Sequence, residues 1–164
     1  MPGAVSAWTA LSARFGKLPF EALFEPAVSH ARDGFAVTPV IAQLWAKAVS
    51  SLGDQPGFAE AFLPNGRAPV AGELYRNADL AHSLRRIAET RGEAFYRGEL
   101  AERITAFAAE HGAALSQEDL DRHSPLWCDP ISKGYRDVEA HELPPNGQGV
   151  AALIALGILE HTSL

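Results

Sequence analysis

Cys128 is the single thiol of the chain, and a thiol acts as nucleophile or ligand only beside a base, a cation or a metal. It follows Trp127, and no histidine stands beside it in a recognised pattern, so it reads as a small apolar residue buried in a strand. The six histidines, His30, His82, His111, His123, His141 and His161, show neither HxxxH nor HxH spacing and gather no cysteine around them. That excludes the usual zinc patterns. His30 and His82 are expected on polar helix faces. The serines fall in no GxSxG, SxxK or Walker pattern. Among the carboxylates, Asp119 with Asp121 and Glu99 with Glu102 suit helix caps and solvated faces. Trp8, Trp45 and Trp127 are too far apart in sequence for a stacking platform, and each is expected in the core. No catalytic, cofactor-binding or metal-binding residue is therefore assigned, and no cofactor is expected.

One stretch keeps a functional option. Pro144 and Pro145 halt whatever precedes them, because neither offers a backbone N–H and both fix φ. Asn146-Gly147-Gln148-Gly149 then tolerates positive φ. A glycine-rich turn opening a helix can be an anion site, since the first N–H groups of a helix are unpaired and carry the positive end of its dipole. The alternative is a tight strand-to-helix connection whose glycines serve backbone geometry. From Val150 to Leu159 every residue is apolar or glycine. A helix apolar on all sides is a buried one, and this run is far shorter than the ~20 residues a bilayer requires.

The elements that must hold these residues are mostly helical. Residues 4–15 place Val5, Trp8, Leu11 and Phe15 on one stripe before Gly16. Phe20, Leu23, Phe24, Ala27, Val28 and Ala31 form a second stripe, which Pro26 must either kink or reopen as a new helix; Gly34 is expected as a left-handed cap. Thr38-Pro39 opens a helix to about Leu52, with Val40, Leu44, Ala48 and Trp45 inward and a stop at Gly53. Residues 54–78 are dense in proline and glycine and predict a long irregular segment with one short helix at Phe58–Phe62. It should pack on the surface of the domain through Phe58, Phe62 and Leu63.

Asn77 or Asp79 caps a helix to about Thr90, with Leu80, Leu84, Ile87 and Ala88 on one face. A helical turn near Glu93–Tyr96 leads into a helix at Glu99–His111, whose Glu99 and Arg103 are spaced for an i, i+4 pair. Ser116 and Asp119 form a capping-box pattern opening a short helix to about Arg122. Leu126–Ile131 and Tyr135–Leu143 then read as strands joined by Ser132-Lys133-Gly134. The fold class is mainly α with a small strand pair near the C-terminus. A helical region over residues 1–123 is followed by strand, strand and helix over 124–164, as a single domain or fragment.

With 164 residues, 47% hydrophobic and 21% charged, the composition is that of one ordinary globular domain, long enough to bury a core without disulfide or metal. A net charge of −6 argues against non-specific nucleic-acid binding, which wants a basic face. No polybasic membrane patch is present. No basic stretch followed by an apolar run opens the chain, so no secretory signal is expected within these residues, which leaves a longer precursor open.

Read together, several short blocks resemble a known family. Pro2-Gly3-Ala4-Val5, Pro26-Ala27, Ala31-Arg32-Asp33-Gly34-Phe35, Asp79-Leu80-Ala81, Leu84 and Ile87-Ala88 come first. Phe95-Tyr96-Arg97-Gly98-Glu99-Leu100-Ala101, Asp119-Leu120, Pro130-Ile131-Ser132, Tyr135-Arg136, Pro144-Pro145 and Ile158-Leu159-Glu160 follow in order. The series resembles the gamma-glutamyltranspeptidase family over nearly the whole chain.

That resemblance implies part of an N-terminal-nucleophile hydrolase with an αββα arrangement of layers. Its precursor cleaves itself before a threonine to give a large and a small subunit. The threonine then attacks a gamma-glutamyl amide and passes the acyl group to water or an acceptor amine. The chain corresponds to the mostly helical middle of the large subunit, so its implied partners are the rest of that subunit, the small subunit and a small gamma-glutamyl substrate, with no nucleic acid or membrane. The family's paired threonine before histidine is absent: Thr9, Thr38, Thr90, Thr105 and Thr162 all stand in other contexts. No catalytic residue carries over, and the isolated chain is expected to be inactive. Asp137 replaces the glycine that commonly follows the Tyr-Arg pair, and Asn146-Gly147-Gln148-Gly149 resembles the broader relatives, acylase-like members included. The rival readings are a stand-alone, non-catalytic binding module and a fragment of a related acylase. A periplasmic or secreted location is left open by the resemblance.

Overall fold

A computed structural model describes residues 2–144 and 146–162; Pro145, half of the double proline noted above, lies outside them. Two compact units follow one another, one ending at Ser124 and one beginning at Pro125.

The first unit is helical. Helix α1 (Ala4–Phe15) buries Val5 and closes where the Gly16 N–H donates to the Ser12 carbonyl. A 3-10 turn at Glu21–Leu23 runs into α2 (Glu25–Asp33), with Pro26 in the first turn, where its missing N–H costs nothing. Pro26 therefore opens a helix instead of kinking one. Strand β1 (Phe35–Ala36) comes next, then α3 (Pro39–Leu52) and α4 (Phe58–Phe62). Strand β2 (Leu74–Tyr75) pairs antiparallel with β1, Phe35 opposite Tyr75 and Ala36 opposite Leu74. This ladder was not foreseen; strands of two residues are too short to show an alternation.

Gly34 opens the ladder at φ 96° and ψ 163°, an extended mirror conformation and not the left-handed helical cap expected of it. A β-carbon there would stand 2.9 Å from Arg76 Cγ and Leu74 Cγ and 3.0 Å from the Tyr75 carbonyl oxygen. Gly34→Ala is accordingly expected to destabilise the unit by about 1–2 kcal/mol, read as a lower urea midpoint with faster amide exchange at Tyr75.

The remaining helices are α5 (Ala78–Glu89), α6 (Glu93–Tyr96), α7 (Glu99–Glu110) and α8 (Gln117–Asp121). Asn77 caps α5, its Oδ1 accepting from the Leu80 N–H at 2.8 Å, and Ser116 with Asp119 completes the capping box on α8. Helix α2 lies on α5, α5 meets α6, and α7 meets α6 and α8. The core they enclose contains Val5, Phe20, Phe24, Ile87, Tyr96, Leu100, Ala101 and Leu120.

Several burial expectations fail. Thr38 precedes α3 in extended conformation, but its hydroxyl makes no cap bond. No residue of α3 is buried: Val40 is 65% and Leu44 56% exposed. Trp45, half-buried, is the anchor, its Nε1 donating to the Phe62 carbonyl at 2.8 Å and its ring meeting Tyr75 and Phe62 edge-on. Trp8 is 45% exposed, and Trp127 and Cys128 are exposed as well. Periodicity identifies the apolar face of a helix, not whether anything covers it. Glu99 also chooses another partner: it bonds Arg86 across the helix pair at 2.5 Å rather than Arg103 one turn on.

In the second unit β3 (Ile131–Tyr135) and β4 (Val138–Glu142) form an antiparallel hairpin, and α9 (Gly149–Leu159) packs on both strands. The hairpin is displaced from its expected place. Ser132-Lys133-Gly134 lies inside β3, residues 124–130 carry no strand, and the turn is Arg136-Asp137 between the paired Tyr135 and Val138. A two-residue hairpin loop wants positive φ, and Arg136 adopts it at 55° without being glycine. Helix α9 buries only Gly149 and Leu153 among the described residues, leaving Ile154 59% and Ile158 63% exposed. Within this unit it is covered on one side only.

Candidate functional site

The most concentrated polar chemistry of the first unit surrounds Ser6. Its backbone N–H belongs to the first turn of α1 and has no partner within the helix; it donates 3.0 Å to the Tyr96 hydroxyl. That hydroxyl in turn donates 2.8 Å to the Pro2 carbonyl. Ser6 Oγ donates to the Gly3 carbonyl at 2.8 Å and lies 2.7 Å from His123 Nε2. The His123 ring stacks on Tyr96 with centroids 5.0 Å apart and planes at 26°. Helix α6 supplies Tyr96, and the residues just past α8 supply His123. Together they hold Pro2 to Ser6, the entry to α1.

A serine within reach of a histidine raises the question of nucleophilic catalysis, which turns on where the protons lie. A serine nucleophile must hand its hydrogen to the imidazole. When the hydroxyl hydrogen points to the Gly3 carbonyl, the 2.7 Å contact takes its hydrogen from the imidazole, so donor and acceptor there follow the His123 tautomer. In that arrangement His123 donates to Ser6 and is not placed as its base. No buried side-chain polar atom of the cluster lacks a partner, and Ser6 is buried. The arrangement is a clamp.

Sequence reasoning did not find this cluster. Ser6 and Tyr96 are 90 residues apart, Ser6 and His123 are 117 apart, and no motif spacing joins them.

The remaining candidates stay separate. Cys128 is exposed, and its Sγ makes a long contact, 3.9 Å, with the Pro144 carbonyl. His30 and His82 are on exposed helix positions as expected. Among the described residues no group of histidine, cysteine, aspartate and glutamate converges as metal ligands, and no helix is long and apolar enough to cross a membrane.

Each carboxyl that departs from its ordinary range moves downward. Hydrogen bonds from Arg32 and Ser29 hold Asp33 at about 2. Glu99 is lowered by its bond to Arg86, Asp119 by its capping bonds to Ser116, and Glu160 by Lys133 at 2.6 Å. A general acid needs the opposite shift, produced by burial. These are surface pairs and caps.

At the start of α9 the anion option closes. Neither Gly147 nor Gly149 takes positive φ. Gly149 is required for closeness instead: a β-carbon there would fall 2.6 Å from Glu142 Cβ and 2.7 Å from Glu142 Oε2. The chain's own carboxylate thus occupies the region beside the positive end of the helix that an external anion would seek.

The first unit also carries an open groove of about 690 Å³ between α1, α5 and α7, walled by Trp8, Leu80, Leu84, Ile104 and Phe107. A second, of about 390 Å³, lies beside it between Trp8, Leu11 and Leu23. Their walls are mostly apolar side chains, with Asp79, Ser83 and Arg103 also lining the larger groove and Ser12 the smaller.

Comparison with known proteins gives the family. A profile of the gamma-glutamyltranspeptidase family matches residues 1–164. The chain is 36% identical over 161 residues to the glutathione hydrolase-like YwrD proenzyme of Bacillus subtilis, covering 98% of this chain and 31% of that one. It is 35% identical to the acylase ACY 1 proenzyme of a Pseudomonas species (strain V22), covering 29% of it. Among solved structures, the cephalosporin acylase of Bacillus halodurans superposes with a TM-score of 0.92 at 44% identity, over 100% of this chain and 32% of that chain. The gamma-glutamyltranspeptidase of Helicobacter pylori superposes with a TM-score of 0.91 at 25% identity, over 48% of its chain. The chain thus spans about a third of the curated relatives it matches. Its helices, hairpin and α9 follow the fold of these hydrolases, and the chain belongs to the gamma-glutamyltranspeptidase family.

Proposed function

We propose that this chain is a structural segment of the large subunit of a gamma-glutamyltranspeptidase-like enzyme. The enzyme transfers or hydrolyses gamma-glutamyl groups of glutathione-type substrates through a threonine nucleophile that lies outside these residues. By itself the segment is inactive, and its partners are the remainder of the large subunit and the small subunit cut from the same precursor. Relatives named as proenzymes support the precursor origin.

The observation that carries the reading is the uncovered apolar surface. Val40, Ile41 and Leu44 on α3, Trp8 and Leu11 on α1, and Ile154 and Ile158 on α9 are all exposed. Covering each large apolar side chain is worth about 1.5–3 kcal/mol, so such faces mark surfaces meant for contact. For the acyl donor, the higher identity to a cephalosporin acylase (44%) than to the Helicobacter pylori enzyme (25%) favours an acylase-type donor as the second reading.

The purified chain should bind a hydrophobic dye such as ANS at room temperature, before its thermal transition, while its helical circular dichroism is intact. A monomer that unfolds cooperatively and binds no dye until it melts would instead support the stand-alone binding module.

A further inference from the structure

We draw no further inference here: the strongest candidate, the open apolar groove between α1, α5 and α7 walled by Trp8, Leu80, Leu84, Ile104 and Phe107, carries nothing because nothing in the structure shows what covers it.

Discussion

Leu120→Ala is expected to lower the unfolding free energy of the helical unit by about 2–5 kcal/mol. Leu120 is 0% exposed and belongs to the same core as Leu100, Ala101 and Tyr96. It is the one buried residue of α8, a helix of five residues that cannot hold its shape by backbone bonding alone. The capping box at Ser116 satisfies the start of α8, Gln117 Nε2 donates to the Tyr96 carbonyl at 3.2 Å, and Leu120 is the apolar side chain that ties α8 to the core. Truncation removes the transfer free energy of the lost carbons and leaves a cavity whose walls are fixed by α6 and α7. Urea unfolding followed by circular dichroism should show a lower midpoint with an unchanged slope, the pattern of lost stability without a changed unfolded state. A loss well under 1 kcal/mol would mean that α8 does not belong to the core.

Tyr96 carries the second large effect. Tyr96→Ala should cost about 3–5 kcal/mol, the range for emptying a buried aromatic site. Tyr96→Phe keeps the ring against Phe95 and His123 and removes only the hydroxyl. The Ser6 N–H and the Pro2 carbonyl then lose their partner, and Ser6 is buried. An unmatched buried donor costs about 1–3 kcal/mol. Loss of exchange protection at the Ser6 amide, measured by hydrogen exchange, would locate the effect in the clamp. Equal stability of the Phe variant and the parent would show that water replaces the hydroxyl without cost.

Local structure was far more legible in the sequence than burial or long-range contact. Thr38-Pro39 and Gly53 bracket α3 at its observed ends, and Phe58–Phe62 forms a helix where five residues between breakers predicted one. Asn77 and the Ser116–Asp119 box work as caps because their bonds span three residues and depend on nothing distant. The hairpin was misplaced because Ser132-Lys133-Gly134 has good turn residues, whereas the actual turn sets an arginine at positive φ. Side-chain chemistry within the turn was overruled by the pairing of Ile131 with Glu142 and of Tyr135 with Val138.

Burial depended on partners that no local pattern encodes. Helix α9 is apolar on every side, yet the second unit covers little of it. Val40 and Leu44 sit on an apolar face with nothing over it, and Trp8 borders an open groove. The clamp at Ser6 was hidden for a related reason: its three side chains come from three distant parts of the chain. The family, by contrast, was readable from the order of its short blocks, because that order persists where each block alone says little.

The most direct test of the central claim, that this segment carries no chemistry of its own, is turnover of a gamma-glutamyl anilide by the purified chain, with circular dichroism confirming that its helices are formed. Anilide release should be no faster than in buffer, and unchanged in Ser6→Ala and His123→Ala chains that remain folded. Robust turnover by the folded chain, lost on replacing Ser6 or His123, would contradict it.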